Sequence, residues 1–317
     1  MARIFTRLVL AAAAAALSVM PALTAELRYS DWSDPVNLGP IVNSVNGEFG
    51  VTISKDGLSL YFHSTSAEGL GGTDIWVSRR PSVDDPWGSP ENLGPTVNTE
   101  HNETTPKLSL DGHRLYFASN RPGGFGGGDL YVSRRHNKRD DLSWEPAENL
   151  GSGVNGPAND GGPAPFEDDA TGILALYFFS ARPGGPGGAD IYVSTLQADE
   201  TFGPSVLVEE LSSPSADIVP DLSRDGREIF ITSNRPGSVP FPPPFTGRSF
   251  DLWTSTRAST NDPWSIPVNM GPVFNTAIND GWAALAFHGT ALYFSTWRPG
   301  AVGEGNLDLY VSTRSKH

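Results

Sequence analysis

Cysteine is absent from all 317 residues. Its absence excludes a disulfide framework, a thiolate metal site, a cysteine nucleophile and a thiol for lipid attachment. Long apolar runs are scarce too. Beyond the first 25 residues none approaches the roughly 18 that a membrane helix requires, so no membrane span is expected. Basic residues are few, 22 Lys and Arg against 36 Asp and Glu, for a net charge of -14. A chain of that sign does not suit nucleic acid or an anionic membrane. The six histidines are scattered. His101 has no second His or Cys at a ligand spacing and reads as a solvated loop residue, while His63 and His288 read as packing or surface residues. A Gly-x-Ser-x-Gly elbow is missing, which leaves no basis for nucleophilic acyl transfer.

At the N-terminus, Arg3 and Arg7, the apolar stretch Leu8 to Met20 and the small-residue zone Pro21 to Ala25 have the layout of a secretory signal. Residues 1–25 are therefore expected to direct export, and residues 26–317 to form one domain in the periplasm or outside the cell.

What the chain has in plenty is glycine (35) and proline (27), arranged in a repeat. Its clearest copy runs from Asn102 to Arg135. A short run reaches a turn at Asp111-Gly112, an aromatic strand follows at Leu115-Tyr116-Phe117, and a glycine-rich loop leads to a strand beginning Asp129-Leu130-Tyr131. The aromatic strand recurs at Leu60-Tyr61-Phe62, Leu176-Tyr177-Phe178, Ile229-Phe230-Ile231 and Leu292-Tyr293-Phe294. The next strand recurs at Asp74, Asp190, Asp251 and Asp308. Trp32, Trp87, Trp144, Phe202 and Trp264 mark an outer strand at a spacing of roughly 55 to 60 residues, a period that belongs to propeller-like arrays. The glycine runs join two strands rather than opening a helix, so they are not phosphate loops. The expected architecture is all-β: a five-bladed β-propeller with four-stranded antiparallel blades. The N-terminal outer strand, Trp32 to Gly39, should pair with the C-terminal strand and close the ring.

The repeat resembles the PD40 family of WD40-like propeller repeats, which includes the TolB-like propeller proteins of the bacterial envelope. The residues that carry the likeness are the Ser-x-Asp-Gly turns at Ser54, Ser109 and Ser223, the Ser-Asn-Arg-Pro-Gly segments at Ser119 and Ser233, and the Asp-Leu/Ile-Tyr/Trp that follows. The resemblance spans essentially the whole chain after residue 25 and implies an interaction module, a role that such propellers also play when appended to enzymes.

Two recurring features gather on one face. Glu48, Glu103, Asp160, Asp217 and Asp280 hold the same repeat position at the start of the five inner strands, and Asn102, Asn159 and Asn279 precede three of them. These eight residues are the ligand-binding candidates. Five converging carboxylates need a cation, donors or water to compensate them, or each accepts backbone N–H groups in its own loop. The second feature is Arg121, Arg182, Arg235 and Arg298 in Arg-Pro-Gly, expected to pair with the acid that begins the third strand or to donate to loop carbonyls. In the fourth repeat Pro236 to Phe250 is an insertion, read as a rim loop or a partner-binding element.

On this basis the chain is expected to be an exported, monomeric, non-enzymatic scaffold whose acidic loop face engages an envelope protein or a glycan. The alternative is a glycoside hydrolase of the five-bladed kind that uses two ring carboxylates. No catalytic residue is assigned. No cofactor is expected, apart from a structural divalent cation if the ring acids bind one.

Overall fold

The computed structural model describes residues 29–300, 302 and 306–317. The segment read as a signal peptide lies outside the described residues. Five separate four-stranded antiparallel sheets are present, in the arrangement of a propeller. Blade 1 contains inner strand Glu48–Ile53, middle strand Ser59–Ser64, third strand Asp74–Arg79 and outer strand Glu91–Asn92. Blade 2 repeats this with Glu103–Leu108, Arg114–Ser119, Asp129–Arg134 and Glu148–Asn149. Blade 3 is built from Asp160–Glu167, Leu174–Ser180, Asp190–Thr195 and Val206–Leu207. Blade 4 uses Asp217–Leu222, Glu228–Ser233, Asp251–Thr256 and Val268–Asn269.

Blade 5 takes its first three strands, Asp280–Leu285, Ala291–Thr296 and Asp308–Thr313, from the end of the chain. Its outer strand, Val36–Asn37, comes from the beginning and pairs with Val311 and Tyr310. Ring closure therefore joins the two ends of the chain as expected. The outer strands are shorter than the sequence suggests. Each is two residues long, and the tryptophans that mark it precede it. Those rings instead cover the seams between blades, and the arginine that follows the third strand stacks on them: Arg80 on Trp87, Arg135 on Trp144, Arg257 on Trp264 and Arg314 on Trp32, at 4.2 to 4.3 Å.

No blade has a core of its own. Tyr61 and Phe62 are adjacent on one middle strand, so they face opposite ways. Tyr61 packs with Leu115 and Phe117 of blade 2, and Phe62 with Tyr293 and Leu309 of blade 5. Both are fully buried, worth roughly 1.5 to 3 kcal/mol per large apolar side chain. The other seams repeat the scheme. This is why the middle strands are apolar on both faces.

Every inner strand carries an irregularity that the sequence does not announce. Its third residue has positive φ: Gly50 (55°), Thr105 (49°), Gly162 (59°), Val219 (46°) and Trp282 (53°). Pairing with the middle strand slips by one residue at each of these points. Three of the bulge amides are held by the preceding blade. Thr105 N–H donates to His63 Nδ1 at 3.2 Å, Gly162 N–H to Thr105 Oγ1 at 3.2 Å, and Trp282 N–H to Thr232 Oγ1 at 2.9 Å.

Further along the inner strands a buried ion pair crosses the axis. Lys107 Nζ of blade 2 lies 2.8 Å from Asp221 Oδ1 of blade 4 and donates to the Ala283 carbonyl of blade 5. Beyond it, at the hairpin end of the channel, is a cavity of ≈ 110 Å³ lined by residues from all five blades.

Candidate functional site at the axial mouth

The five ring acids begin the five inner strands and are at most 2% exposed. Each first anchors its blade to the one before. Glu103 N–H donates to the Thr73 carbonyl, Asp160 N–H to Gly128, Asp217 N–H to Ala189, Asp280 N–H to Phe250 and Glu48 N–H to Leu307. Their carboxylates then fold back onto the loop leading into the strand. Glu48 accepts from Ser44 N–H and Oγ–H, Glu103 from Thr99 N–H and Oγ1–H, Asp160 from Gly156 N–H, and Asp280 from Thr276 N–H and Oγ1–H. Asp217 accepts from Ser233 Oγ–H at 2.5 Å and from Arg235. Hydrogen-bond donors inside each blade thus compensate these charges.

The arginines of the Arg-Pro-Gly segments do not pair with the third-strand acids. They turn back to the ring: Arg121 to Glu103 at 3.2 Å, Arg182 to Asp160 at 2.8 Å, Arg235 to Asp217 at 2.5 Å and Arg298 to Asp280 at 3.5 Å. The cause is local. A hydroxyl at the end of the middle strand, such as Ser119 Oγ, accepts both the arginine's own N–H and its Nε–H, which curls the side chain over the inner strand. The expected donation to loop carbonyls does occur, to Val97, Val154, Leu211 and Phe274. The third-strand acids serve their own loops. Asp129 accepts Phe125 N–H and Asp251 accepts Val239 N–H.

The candidate asparagines divide. Asn102 and Asn159 are exposed on the loop face, in parallel bridges with Thr73 and Gly128. Asn279 is partly covered, with Oδ1 accepting Phe250 N–H at 3.0 Å. A second set of asparagines, Asn43, Asn98, Asn155 and Asn275, is buried and imitates a strand. Asn98, for example, accepts Ile75 N–H and donates to Ile75 O, both at 2.9 Å. Their spacing six residues after the Asn of the outer strand is the sequence signal for that role.

Sequence reasoning missed the aromatic side of the mouth. Phe49 stacks on His63 with ring centres 5.1 Å apart, and meets Trp282 edge-on at 6.1 Å; Trp282 meets Phe250 at 6.5 Å. Phe49, Trp282 and Phe250 are partly exposed and come from the adjacent blades 1, 5 and 4. Exposed Trp297 follows the middle strand of blade 5 on the same face. Burial pushes His63 down to about 3, so its ring is neutral and Nδ1 stays an acceptor for Thr105. The insertion of blade 4 forms a small hairpin, with Pro240 bridged to Arg248, and delivers Phe250 to this arc.

No protein-family profile matches the chain, and no curated protein sequence matches it. Solved structures do. The catalytic domain of an α-L-arabinofuranosidase from Coprinopsis cinerea aligns over 90% of this chain and 96% of its own, with TM-score 0.59 and 12% identity. An α-L-arabinofuranosidase from Lactobacillus brevis aligns over 87% and 92%, with TM-score 0.57 and 17% identity. An endo-arabinase from Bacteroides thetaiotaomicron aligns over 90% and 97%, with TM-score 0.56 and 14% identity. At these identities the likeness establishes the fold, a five-bladed propeller. It also corrects the expectation of a non-enzymatic scaffold. The three structures named are two α-L-arabinofuranosidases and an endo-arabinase, which favours the enzyme reading that stood second.

Proposed function

We propose that the protein is carbohydrate-active, a five-bladed propeller of the glycoside hydrolase kind that engages a glycan over the axial mouth. One observation carries this reading. Trp282 is held at φ 53°, a conformation that costs a bulky residue of order 1–3 kcal/mol, where blades 1 and 3 use glycine. The strain places an indole at the centre of the Phe49–Trp282–Phe250 arc. Such an arc offers apolar faces to the C–H surfaces of a sugar ring, and exposed Asn102 and Asn159 on the opposite side of the mouth offer amides to its hydroxyls.

Glycosidic cleavage needs one carboxyl that is neutral and one that is ionised. Asp280, two residues before Trp282, suits the first role. Burial raises its carboxyl above the ordinary range against the opposing bonds from Thr296 and Thr276 and the Arg298 charge, and its Oδ1 has no partner of hydrogen-bond geometry. Asp217, on the neighbouring blade, suits the second. Arg235 pairs with its Oδ1, and Oδ2 is likewise unpartnered. Both carboxylates are covered in this structure, so the assignment requires that a seated glycan opens the mouth to them.

The similar structures indicate the probes: aryl arabinofuranosides and xylosides, together with arabino- and xylo-oligosaccharides. Hydrolysis by the wild type, lost in Asp280→Asn while oligosaccharide binding and cooperative melting persist, supports the assignment. Hydrolysis unchanged in both Asp280→Asn and Asp217→Asn would move the chemistry away from these acids. Export to the periplasm or beyond, and a PD40-type repeat, belong to the same proposal, in which the partner is an extracytoplasmic glycan.

A further inference from the structure

Blade 1 has the acid and the two aromatic rings of a guanidinium pocket but lacks the arginine. In blade 2 the pocket is complete. The guanidinium of Arg121 contacts Glu103 at 3.2 Å, donates to the Val97 carbonyl at 2.5 Å, and lies 5.3 and 4.9 Å from the ring centres of Phe117 and Tyr131. Blades 3 and 5 repeat the arrangement with Arg182 and Arg298, and blade 4 keeps the acid and one ring, with Arg235 over Trp253 and Ile231 in place of the phenylalanine. In blade 1 the corresponding residue is Ser66. The register is secure, because Ser66 N–H donates to Ser64 Oγ at 3.2 Å just as Arg121 N–H donates to Ser119 Oγ at 3.1 Å.

The remaining walls are conserved within the molecule. Glu48 receives the same serine or threonine bonds as Glu103, from Ser44 and Ser64 in place of Thr99 and Ser119. Phe62 and Trp76 hold the positions of Phe117 and Tyr131, as the strand registers Phe62↔Trp76 and Phe117↔Tyr131 show. Among the described residues no cation pairs with Glu48 and none lies over Phe62 or Trp76. The indole Nε1–H of Trp76 is also buried without a partner. Burial pushes the Glu48 carboxyl above the ordinary range, and the Asp308 charge pushes the same way. Ser66 is partly exposed and its neighbours Ala67 and Glu68 are exposed, so the place of the missing side chain borders solvent.

We propose that this pocket of blade 1 binds an external guanidinium group, with Glu48 as its counter-ion and Phe62 and Trp76 as its stacking faces. A planar cation fits better than an ammonium because the other four blades seat a guanidinium against the ring acid and the third-strand aromatic, three of them with a middle-strand phenylalanine as well. The group arrives either on a free guanidino compound or on an arginine side chain of a polypeptide. This site stands apart from the glycan reading and needs no glycan to be tested.

The experiment measures melting and calorimetric titration of the full chain with ethylguanidinium, L-arginine and the peptide Gly-Arg-Pro-Gly, with ethylammonium as control. The guanidinium carriers should raise the melting temperature saturably by linkage, and ethylammonium should do so at least tenfold more weakly. Ser66→Arg, which supplies the group in cis, should melt higher than the wild type and lose the response. Glu48→Gln should lose the response as well, a second check should Ser66→Arg fold poorly. A peptide at least tenfold tighter than ethylguanidinium identifies a polypeptide source, and equal affinities a free compound. No saturable response in the wild type, or an undiminished one in Glu48→Gln, overturns the proposal.

Discussion

Arg182 Nη2 lies 2.8 Å from Asp160 Oδ1, tying the end of a middle strand to the start of the inner strand in the same blade. The same carboxylate accepts Gly156 N–H, so it is compensated from within its own repeat. Asp160→Asn is expected to lower stability by about 1–3 kcal/mol, because a partly buried guanidinium and a loop amide lose a charged acceptor. Calcium or magnesium should leave the melting temperature of the wild type unchanged, since each ring acid already accepts hydrogen bonds within its own blade. A cation-dependent rise that disappears in the variant would reverse this account of the ring. Calorimetry with chelator and then with calcium makes the comparison.

The axial ion pair should behave as a unit. Lys107→Met leaves Asp221 largely buried opposite a methyl group, and breaking a buried pair in this way costs about 3–5 kcal/mol. Adding Asp221→Asn should recover part of the loss, because no unpaired charge remains. Urea melts of the two single variants and the double variant read the coupling directly. Strict additivity would show that the two side chains do not sense each other.

His63 makes the fold sensitive to acid. The unfolded chain takes up a proton near the ordinary value of 6.5, whereas the folded ring resists protonation down to about 3. The folded pKa is depressed, so its contribution is fully present above 6.5 and is lost as pH falls from there towards 3. His63→Ala should flatten this part of the profile. It should also cost about 1–3 kcal/mol at pH 7.5, where Thr105 N–H loses its acceptor. The difference between wild type and variant isolates His63 from the buried carboxylates. A profile of unchanged slope between pH 7 and 4 would contradict the assignment.

Ring closure predicts the effect of trimming the N-terminus. Removing residues through 39 deletes the outer strand of blade 5, the Asn37 bond to Asp308 at 2.8 Å, and the stack of Arg314 on Trp32. It leaves a third strand with a bare edge. The truncated chain should melt lower and aggregate on heating, whereas a cut before Tyr29 should have little effect. Equal melting of the two would mean that the ring holds without its closing strand.

Much of this architecture was legible because it repeats. Middle strands such as Leu115-Tyr116-Phe117 are apolar on both faces, and that pattern fits only a sheet sandwiched between others. What escaped is what the alphabet hides. Gly50 and Gly162 hint at a bulge, but Thr105 and Trp282 adopt the same positive φ with their amides captured by neighbouring blades, a tertiary cause with no local trace, and Val219 shares the conformation. Arg121 was given the wrong acid for a similar reason: Glu103 and Asp129 are both acids of the same repeat, and only the curl imposed by Ser119 selects between them. The aromatic arc was invisible because Phe49, Phe250 and Trp282 occupy different repeat positions in three different blades.

The central claim, a glycan seated at the axial mouth, turns on Trp282. Glycine already occupies this bulge position in blades 1 and 3, so Trp282→Gly removes the indole without strain and should fold at least as stably as the wild type. Titration calorimetry with arabino- and xylo-oligosaccharides should show saturable binding to the wild type, weakened at least tenfold in Trp282→Gly and also in Phe49→Ala. Binding of equal strength in the wild type and in a well-folded Trp282→Gly variant would contradict a glycan site at this mouth.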